Sequence, residues 1–259
     1  MKEIINAVLI VIACIILILI ASVFIISGKN MKSMNHCIDA VLKELKEHYT
    51  MIPLDIGDYK TMKLNSFMKF NVEQYDTKEL GNLSIMRVNM GVMQMATIVI
   101  TPREKNMPLL SADYMYILSN RKSYLEFYDV VEEKDAQYQQ LLTSLSNVLN
   151  SYQQLENTQA SPAWYEHLLT AKAYKKGNSK NDLDMENMLL ESLKTYINHS
   201  NQLPVLSANE KASKLAITVN YTDGLIEKGG ISTDVFKKSL GNEETKKFFD
   251  NIFFCTAMK

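Results

Sequence analysis

The feature that most restricts the fold is a series of short alternating segments between residues 63 and 128. Apolar and polar residues alternate with a period of two, as from Met68 to Val72, which is typical of strands with two different faces. Turns that contain glycine separate these segments at 81–82 and 90–91. Connections this short require antiparallel neighbours, because a parallel crossover needs about a dozen residues. We predict strands near 63–75, 83–89, 92–100, 112–118 and 123–128.

Helical periodicity surrounds the predicted sheet. Apolar residues recur at i, i+3 and i+4 in Ser33 to Tyr49, Tyr138 to Tyr152 and Met185 to Ile197. Further helices are predicted to start at the N-caps Ser207, Ser232 and Asn242. We read residues 175–184, KKGNSKNDLD, as a solvated loop. One helix before the strands and several after them predict the α+β class, as a three-layer α/β/α sandwich with a central antiparallel sheet.

A long apolar run precedes this body. From Ile4 to Ile26 its only polar members are Asn6 and Ser22, and at about 1.5 Å per residue it is long enough for a bilayer core of about 30 Å. A signal peptide is the alternative, but its apolar region usually has about 7–15 residues and follows a basic segment. We predict one transmembrane helix, with residues 1–30 as the anchor and 31–259 as the sandwich domain.

The distribution of lysine predicts the membrane orientation. Lys29, Lys32, Lys43 and Lys46 follow the run, whereas Lys2 alone precedes it. This bias predicts a single-pass protein with a cytoplasmic globular part.

Composition excludes several classes of function. The 259 residues carry a formal charge of −1 without a basic block, which argues against nucleic acid as a partner. Three scattered cysteines and four histidines show no ligand spacing, so we predict no metal site. Phosphate-binding, dinucleotide-binding and hydrolase motifs are absent from the sequence.

Asp113 is the strongest candidate for a catalytic residue. It stands among apolar residues of a predicted strand, where an ionised carboxylate is costly unless it is paired, hydrated or protonated. Alternation places it on one face with Met115 and Ile117, and places Tyr116 on the other. The alternative is a residue at the strand entry that bonds to a loop amide, which is common for aspartate near turns.

The residues around Asp113 also resemble a family signature. The run Met107-Pro108-Leu109-Leu110-Ser111-Ala112-Asp113, preceded by Thr101-Pro102, is similar to the motif of the ferredoxin-dependent bilin reductases. Similarity extends over residues 81–129 and 221–254. It implies reduction of a linear tetrapyrrole (bilin) by single electrons from reduced ferredoxin, with no organic cofactor bound. Asp113 then matches the aspartate that protonates the pigment.

Other positions depart from the family pattern. Its glutamate and histidine would fall at about Met86 and Thr97, neither of which is a general acid, and a second aspartate would fall near Gly229. We predict that Met86, Thr97, Arg87 and Tyr116 bind the substrate. Arginine suits the propionates of a tetrapyrrole, although a solvated surface charge is the alternative for Arg87.

Two other functions remain open from the sequence. The departures at Met86, Thr97 and Gly229 permit a non-catalytic, membrane-anchored tetrapyrrole-binding protein. A structural protein with no small ligand is the third interpretation. For Tyr116, core packing is the alternative to stacking on a planar ligand.

Overall fold

The computed structural model describes residues 2–66 and 68–257, which are built around one antiparallel sheet of nine strands. The spatial order is β1-β3-β4-β5-β6-β7-β9-β8, and β2 also pairs with β3. Consecutive strands from β3 to β7 are neighbours, so the predicted meander is confirmed. The strands are β1 (Met51–Pro53), β2 (Thr61–Lys63), β3 (Lys69–Thr77), β4 (Gly81–Asn89), β5 (Met93–Pro102), β6 (Leu109–Ile117), β7 (Asn120–Tyr128), β8 (Glu156–Asn157) and β9 (Leu169–Asn178).

Helices cover both faces of the sheet, which confirms the predicted three-layer α+β sandwich. On one face lie the second half of α1 (Lys2–His48), α2 (Ala136–Ser151) and α3 (Asp182–Ser200). On the other lie α4 (Ala208–Lys228), α5 (Ile231–Leu240), α6 (Asn242–Phe248) and a π-helical turn, Phe249–Phe253.

The first face carries the larger apolar core. Alternate residues of β6, Ala112, Tyr114 and Tyr116, point into it and are each at most 4% exposed. The apolar stripe of α1, from Met34 to Leu45, packs on the same core. Burial of these side chains is the main stabilising term for this layer, at about 25 cal/mol per Å² of apolar surface.

A single continuous helix joins the apolar leader to the body. The sequence predicted an anchor and a separate helix from Ser33, but α1 runs unbroken for 47 residues. No proline interrupts it, and its one glycine, Gly28, weakens a helix without breaking it. Its first part is exposed: Leu17, Ile18 and Phe24 are each more than 60% accessible. The helix is long and apolar enough to cross a membrane.

The junction between α1 and the sheet is a buried polar cluster centred on Arg121. Its Nε and Nη2 donate to the two carboxylate oxygens of Asp182 at 2.6 and 3.2 Å, and Nη2 also donates to Oδ1 of Asn30 at 2.9 Å. The guanidinium lies over the Tyr116 ring, 4.6 Å from its centroid. Asn30 Nδ2 in turn donates to Gln94 Oε1 at 2.9 Å. These contacts connect α1 to β5, β7 and α3.

Two details of the sequence prediction are wrong. Residues 175–178 of the predicted loop are the end of β9, and the turn is limited to Ser179–Asn181. Lys175 is buried in that strand because its Nζ donates to the Tyr152 carbonyl oxygen at 3.1 Å and to Asn157 Oδ1 at 2.8 Å. The N-caps of α5 and α6 are glycines rather than Ser232 and Asn242. Ser207 does cap α4, in a capping box with Glu210.

Replacement of Arg121 tests the junction. Arg121→Met removes the charged partner of the Asp182 carboxylate, which keeps the Ser33 hydroxyl, and removes the donor to Asn30 Oδ1, so we expect a loss of about 3 kcal/mol in the free energy of unfolding. The measurement is the urea midpoint of the full chain in detergent, followed by circular dichroism. Lys180→Met is the control, because Lys180 is exposed and lies in the turn just before Asp182. Equal midpoints for the two variants would show that the cluster contributes nothing to stability.

Candidate active site

A cavity of about 490 Å³ lies between the second face of the sheet and the C-terminal helices. Strands β4 to β7 and β9 supply its floor, and α4, α5 and the residues after α6 supply its roof. The segment from Gln159 to Ala163, which follows β8, closes one side. Cavities of about 300–1,000 Å³ with apolar walls and few polar groups are typical small-molecule sites.

Asp113 lies on the floor of this cavity, in the middle of β6. Its register partners are Thr97 of β5 and Tyr124 of β7, so neighbouring strands flank it on both sides. The predicted alternation is confirmed: Asp113 and Met115 line the cavity, while Ala112 and Tyr114 enter the first core. Asp113 is therefore not a residue at the strand entry, because β6 already begins at Leu109.

The environment of Asp113 favours its neutral form. Burial raises the pKa of this carboxyl to about 7, and the negative charge of Glu126 acts in the same direction. The Thr97 hydroxyl donates to Oδ1 at 2.5 Å and acts in the opposite direction. A carboxyl with a pKa near 7 exists as both acid and base at neutral pH, which suits reversible proton transfer.

Glu126 is a second acid of the cavity, which the sequence analysis missed. It lies on β7, and its register partner in β6 is Ser111, two residues before Asp113. The hydroxyls of Tyr128 and Tyr174 donate to its two oxygens at 2.5 and 2.7 Å. The period of two in LEFYD could have found it, because Tyr124, Glu126 and Tyr128 share the face of β7 that meets the cavity.

Aromatic side chains line one end of the cavity. The rings of Tyr128 and Tyr221 lie 4.9 Å apart, and Phe254 meets Tyr221 edge to face at 5.9 Å. Tyr165 contacts both tyrosines at 5.8 and 5.9 Å. Such an apolar, ring-lined wall suits a flat conjugated ligand.

Trp164 fixes the roof over these rings. A Cβ atom at Gly224 of α4 would lie 2.3 Å from the indole, so only glycine allows this close approach. The indole Nε1 donates to the Gly229 carbonyl oxygen at 2.9 Å. Gly229, where the family's second aspartate would fall, ends α4 with a positive φ of 87° and carries no acid. Nearby Asp223 is paired with Lys246, outside the cavity lining.

The structure separates the four residues that were predicted to bind substrate. Met86 and Thr97 line the cavity beside Asp113. Arg87 and Tyr116 do not: alternation turns both to the first face, where Arg87 pairs with Glu73 and Tyr116 packs beneath Arg121. Their placement beside the substrate is corrected, since a side chain on the opposite face cannot reach the cavity.

Metal-ligand chemistry is not apparent in the described part of the chain. Across residues 2–66 and 68–257, no group of three or more His, Cys, Asp or Glu residues could hold an ion.

The fold is similar to that of phytochromobilin synthase from tomato, whose crystal structure was solved in complex with biliverdin. The TM-score is 0.69 at 12% sequence identity, over 86% of this chain and 83% of that one. No family model matches the sequence. No curated protein matches it either. The similarity shows that the fold of a bilin-binding enzyme is present.

Asp113→Asn tests whether the carboxyl is buried as the structure indicates. The folded pKa of about 7 lies above the ordinary value of 3.8, so the native state binds more protons between these values and wild-type stability falls as pH rises. Asparagine does not titrate. We expect the stability of the variant relative to wild type to increase from pH 4 to 7 and then level off. Urea unfolding at several pH values measures this, and a difference independent of pH would contradict the burial of an ionisable group.

Proposed function

We propose that the protein is a ferredoxin-dependent reductase of a linear tetrapyrrole, in which Asp113 protonates the pigment between single-electron transfers. The observation that carries the proposal is the Asp113 carboxyl on the cavity floor, with its pKa raised to about 7. The fold shared with phytochromobilin synthase supports the choice of ligand, because that enzyme was crystallised with biliverdin.

The chemistry of the cavity suits such a pigment. Its walls combine the tyrosine and phenylalanine rings with Met86, Met95 and Met115, whose flexible thioethers adapt to a flat conjugated surface. Lys122 lines the cavity and carries the positive charge that a propionate of the pigment would meet.

The reaction balances with two electrons and two protons. Asp113 transfers its proton to the pigment, which breaks the carboxyl O–H bond, and one electron from reduced ferredoxin converts the protonated pigment into a neutral radical. A second electron and a second proton then complete the reduction of one double bond. Asp113 regains its proton from water, and no cofactor bound by the chain is required.

Asp113 is the main acid in this scheme because Met86 and Thr97, at the positions of the family's glutamate and histidine, are not acids. Met86 cannot donate a proton, and the Thr97 hydroxyl serves to orient Asp113. Glu126 and the two tyrosine hydroxyls that bond to it offer a route for the second proton. The absence of acids at positions 86 and 97 also supports the second candidate, a protein that binds the pigment without reducing it.

The membrane anchor completes the proposal. In this proposal the exposed apolar part of α1 spans the bilayer, and the lysines that follow it favour a cytoplasmic position for the sandwich. Cytoplasmic exposure gives the site access to a soluble electron donor such as ferredoxin.

Pigment binding and turnover separate the two candidates. The full chain in detergent should shift the absorbance of biliverdin on binding, and reduced ferredoxin should then bleach the pigment or shift it to the blue. Asp113→Asn should retain the pigment and lose turnover, by about 100-fold or more for removal of a positioned acid. Unchanged turnover in the variant would exclude Asp113 as the donor, and a wild-type chain that binds without reduction would favour the carrier.

Glu126→Gln tests the electrostatic control of Asp113. Loss of the negative charge should lower the pKa of Asp113, so the alkaline fall in turnover, which follows deprotonation of Asp113, should move to lower pH. The pH profile of pigment reduction measures the shift. Glu166→Gln is the matched control, since Glu166 lies at the edge of the same cavity, is exposed and pairs with Lys172. If the pH profile of Glu126→Gln is unchanged or moves to higher pH, the charge of Glu126 does not raise the pKa of Asp113.

A further inference from the structure

Three parts of the body meet α1 just after its apolar run ends at Ile26. Ser27 Oγ donates to Asn89 Oδ1 at the β4–β5 turn, at 3.3 Å. Asn30 Nδ2 donates to the Leu118 carbonyl oxygen in the β6–β7 turn, at 3.0 Å. Ser33 Oγ donates to Asp182 Oδ2 at the start of α3, at 2.8 Å. These contacts fix the two turns and α3 around the point where α1 leaves the apolar run.

The helix geometry gives the depth of these contacts. At about 1.5 Å per residue, Ser27 to Ser33 span about 9 Å along α1. The polar headgroup layer occupies about 5–7 Å on each side of a bilayer core. If Ile26 lies at the boundary of that core, Asn30 lies about 6 Å beyond it, so the two turns lie at the level of the headgroups. Ser33 lies about 10 Å beyond it, so the start of α3 lies just above that level.

Exposed apolar side chains stand at all three places. Val92 is 51% exposed, Leu118 is 39% and Leu183 is 65%. Single exposed apolar residues are ordinary on protein surfaces, but these three surround one helix within about 10 Å of its length, and we call them the apolar patch. Lys29 and Lys32 are exposed on the adjoining turns of α1, where they suit anionic lipid headgroups.

The lining of the cavity extends to this same end of the sheet. The start of β5, the end of β6 and the start of β7 are adjacent at this end, because Ile117 pairs with Met93 on one side and with Asn120 on the other. The cavity lining there consists of Met95, Met115 and Lys122, which are all partly exposed. Buried Tyr128 and Tyr221 lie at the other end of the cavity.

We infer that Val92 and Leu118, with Leu183 at their outer edge, rest on the lipid surface, and that the cavity receives its ligand from that surface past the partly exposed Met95, Met115 and Lys122. The ligand class is a flat amphiphile that partitions into the membrane and carries a carboxylate for Lys122. This inference rests on the proposed membrane anchor and deepens the proposed pigment function.

Tryptophan substitution tests the contact with lipid. Val92→Trp and Val205→Trp are a matched pair, because both valines are 51% exposed. Val205 lies at the opposite end of the sheet, where the neighbouring Leu206 N–H donates to the Glu104 carbonyl oxygen. The full chain is reconstituted in phosphatidylcholine–phosphatidylglycerol vesicles whose acyl chains are brominated near the headgroup. We expect quenching above the Trp164 background in Val92→Trp and none in Val205→Trp. Equal quenching in the two variants overturns the inference.

Pigment uptake tests the route of entry. Biliverdin that has been equilibrated with vesicles should reach the wild-type chain several-fold faster than the double variant Val92→Asp, Leu183→Asp, whereas Val205→Asp should match wild type. In detergent the three proteins should bind biliverdin equally. Equal uptake from vesicles overturns entry from the membrane.

If the wild-type chain binds no pigment in detergent, the proposed function and the entry route are both wrong. The quenching result still decides whether Val92 contacts lipid.

Discussion

The separation of the two faces of β6 is the constraint on which the rest of the structure depends. Ala112, Tyr114 and Tyr116 must lie in a dry core against α1 and α3, so Asp113 and Met115 have to face the other way. A slip of one residue in the pairing would bring the carboxylate into that core, at a prohibitive cost in desolvation. The same hydrogen-bonded register that stabilises the sheet therefore places the acid in the cavity.

Much of the fold could be predicted because it follows from local periodicity. Five strands, their antiparallel order and the face of Asp113 follow from a repeat of two and from short turns. Strand β9 was missed because buried Lys175 reads as a solvated residue in the sequence. Its ammonium donates hydrogen bonds to the Tyr152 carbonyl oxygen and to Asn157 Oδ1. Neither acceptor can be recognised from the sequence, because both come close to Lys175 only in the folded chain.

The site was predictable only in part, for a related reason. Asp113 stands out because its neighbours in sequence are apolar, whereas Glu126 lies in a segment that looks like an ordinary amphipathic strand. Its role depends on the Tyr174 hydroxyl, which comes from a strand 48 residues later. Arg87 and Tyr116 suit a pigment chemically, but the alternation along β4 and β6 turns their side chains to the face opposite Asp113.

In the anchored state that we propose, the unbroken α1 makes the orientation of the body depend on the bilayer. A helix longer than the local hydrocarbon thickness tilts to match it, at a cost of a fraction of a kcal/mol per Å of mismatch. Because the Arg121 cluster joins α1 rigidly to the sheet, the body has no hinge with which to compensate. Membrane thickness, and with it the sterol and acyl-chain composition of the host membrane, then sets the angle at which the sheet stands above the surface.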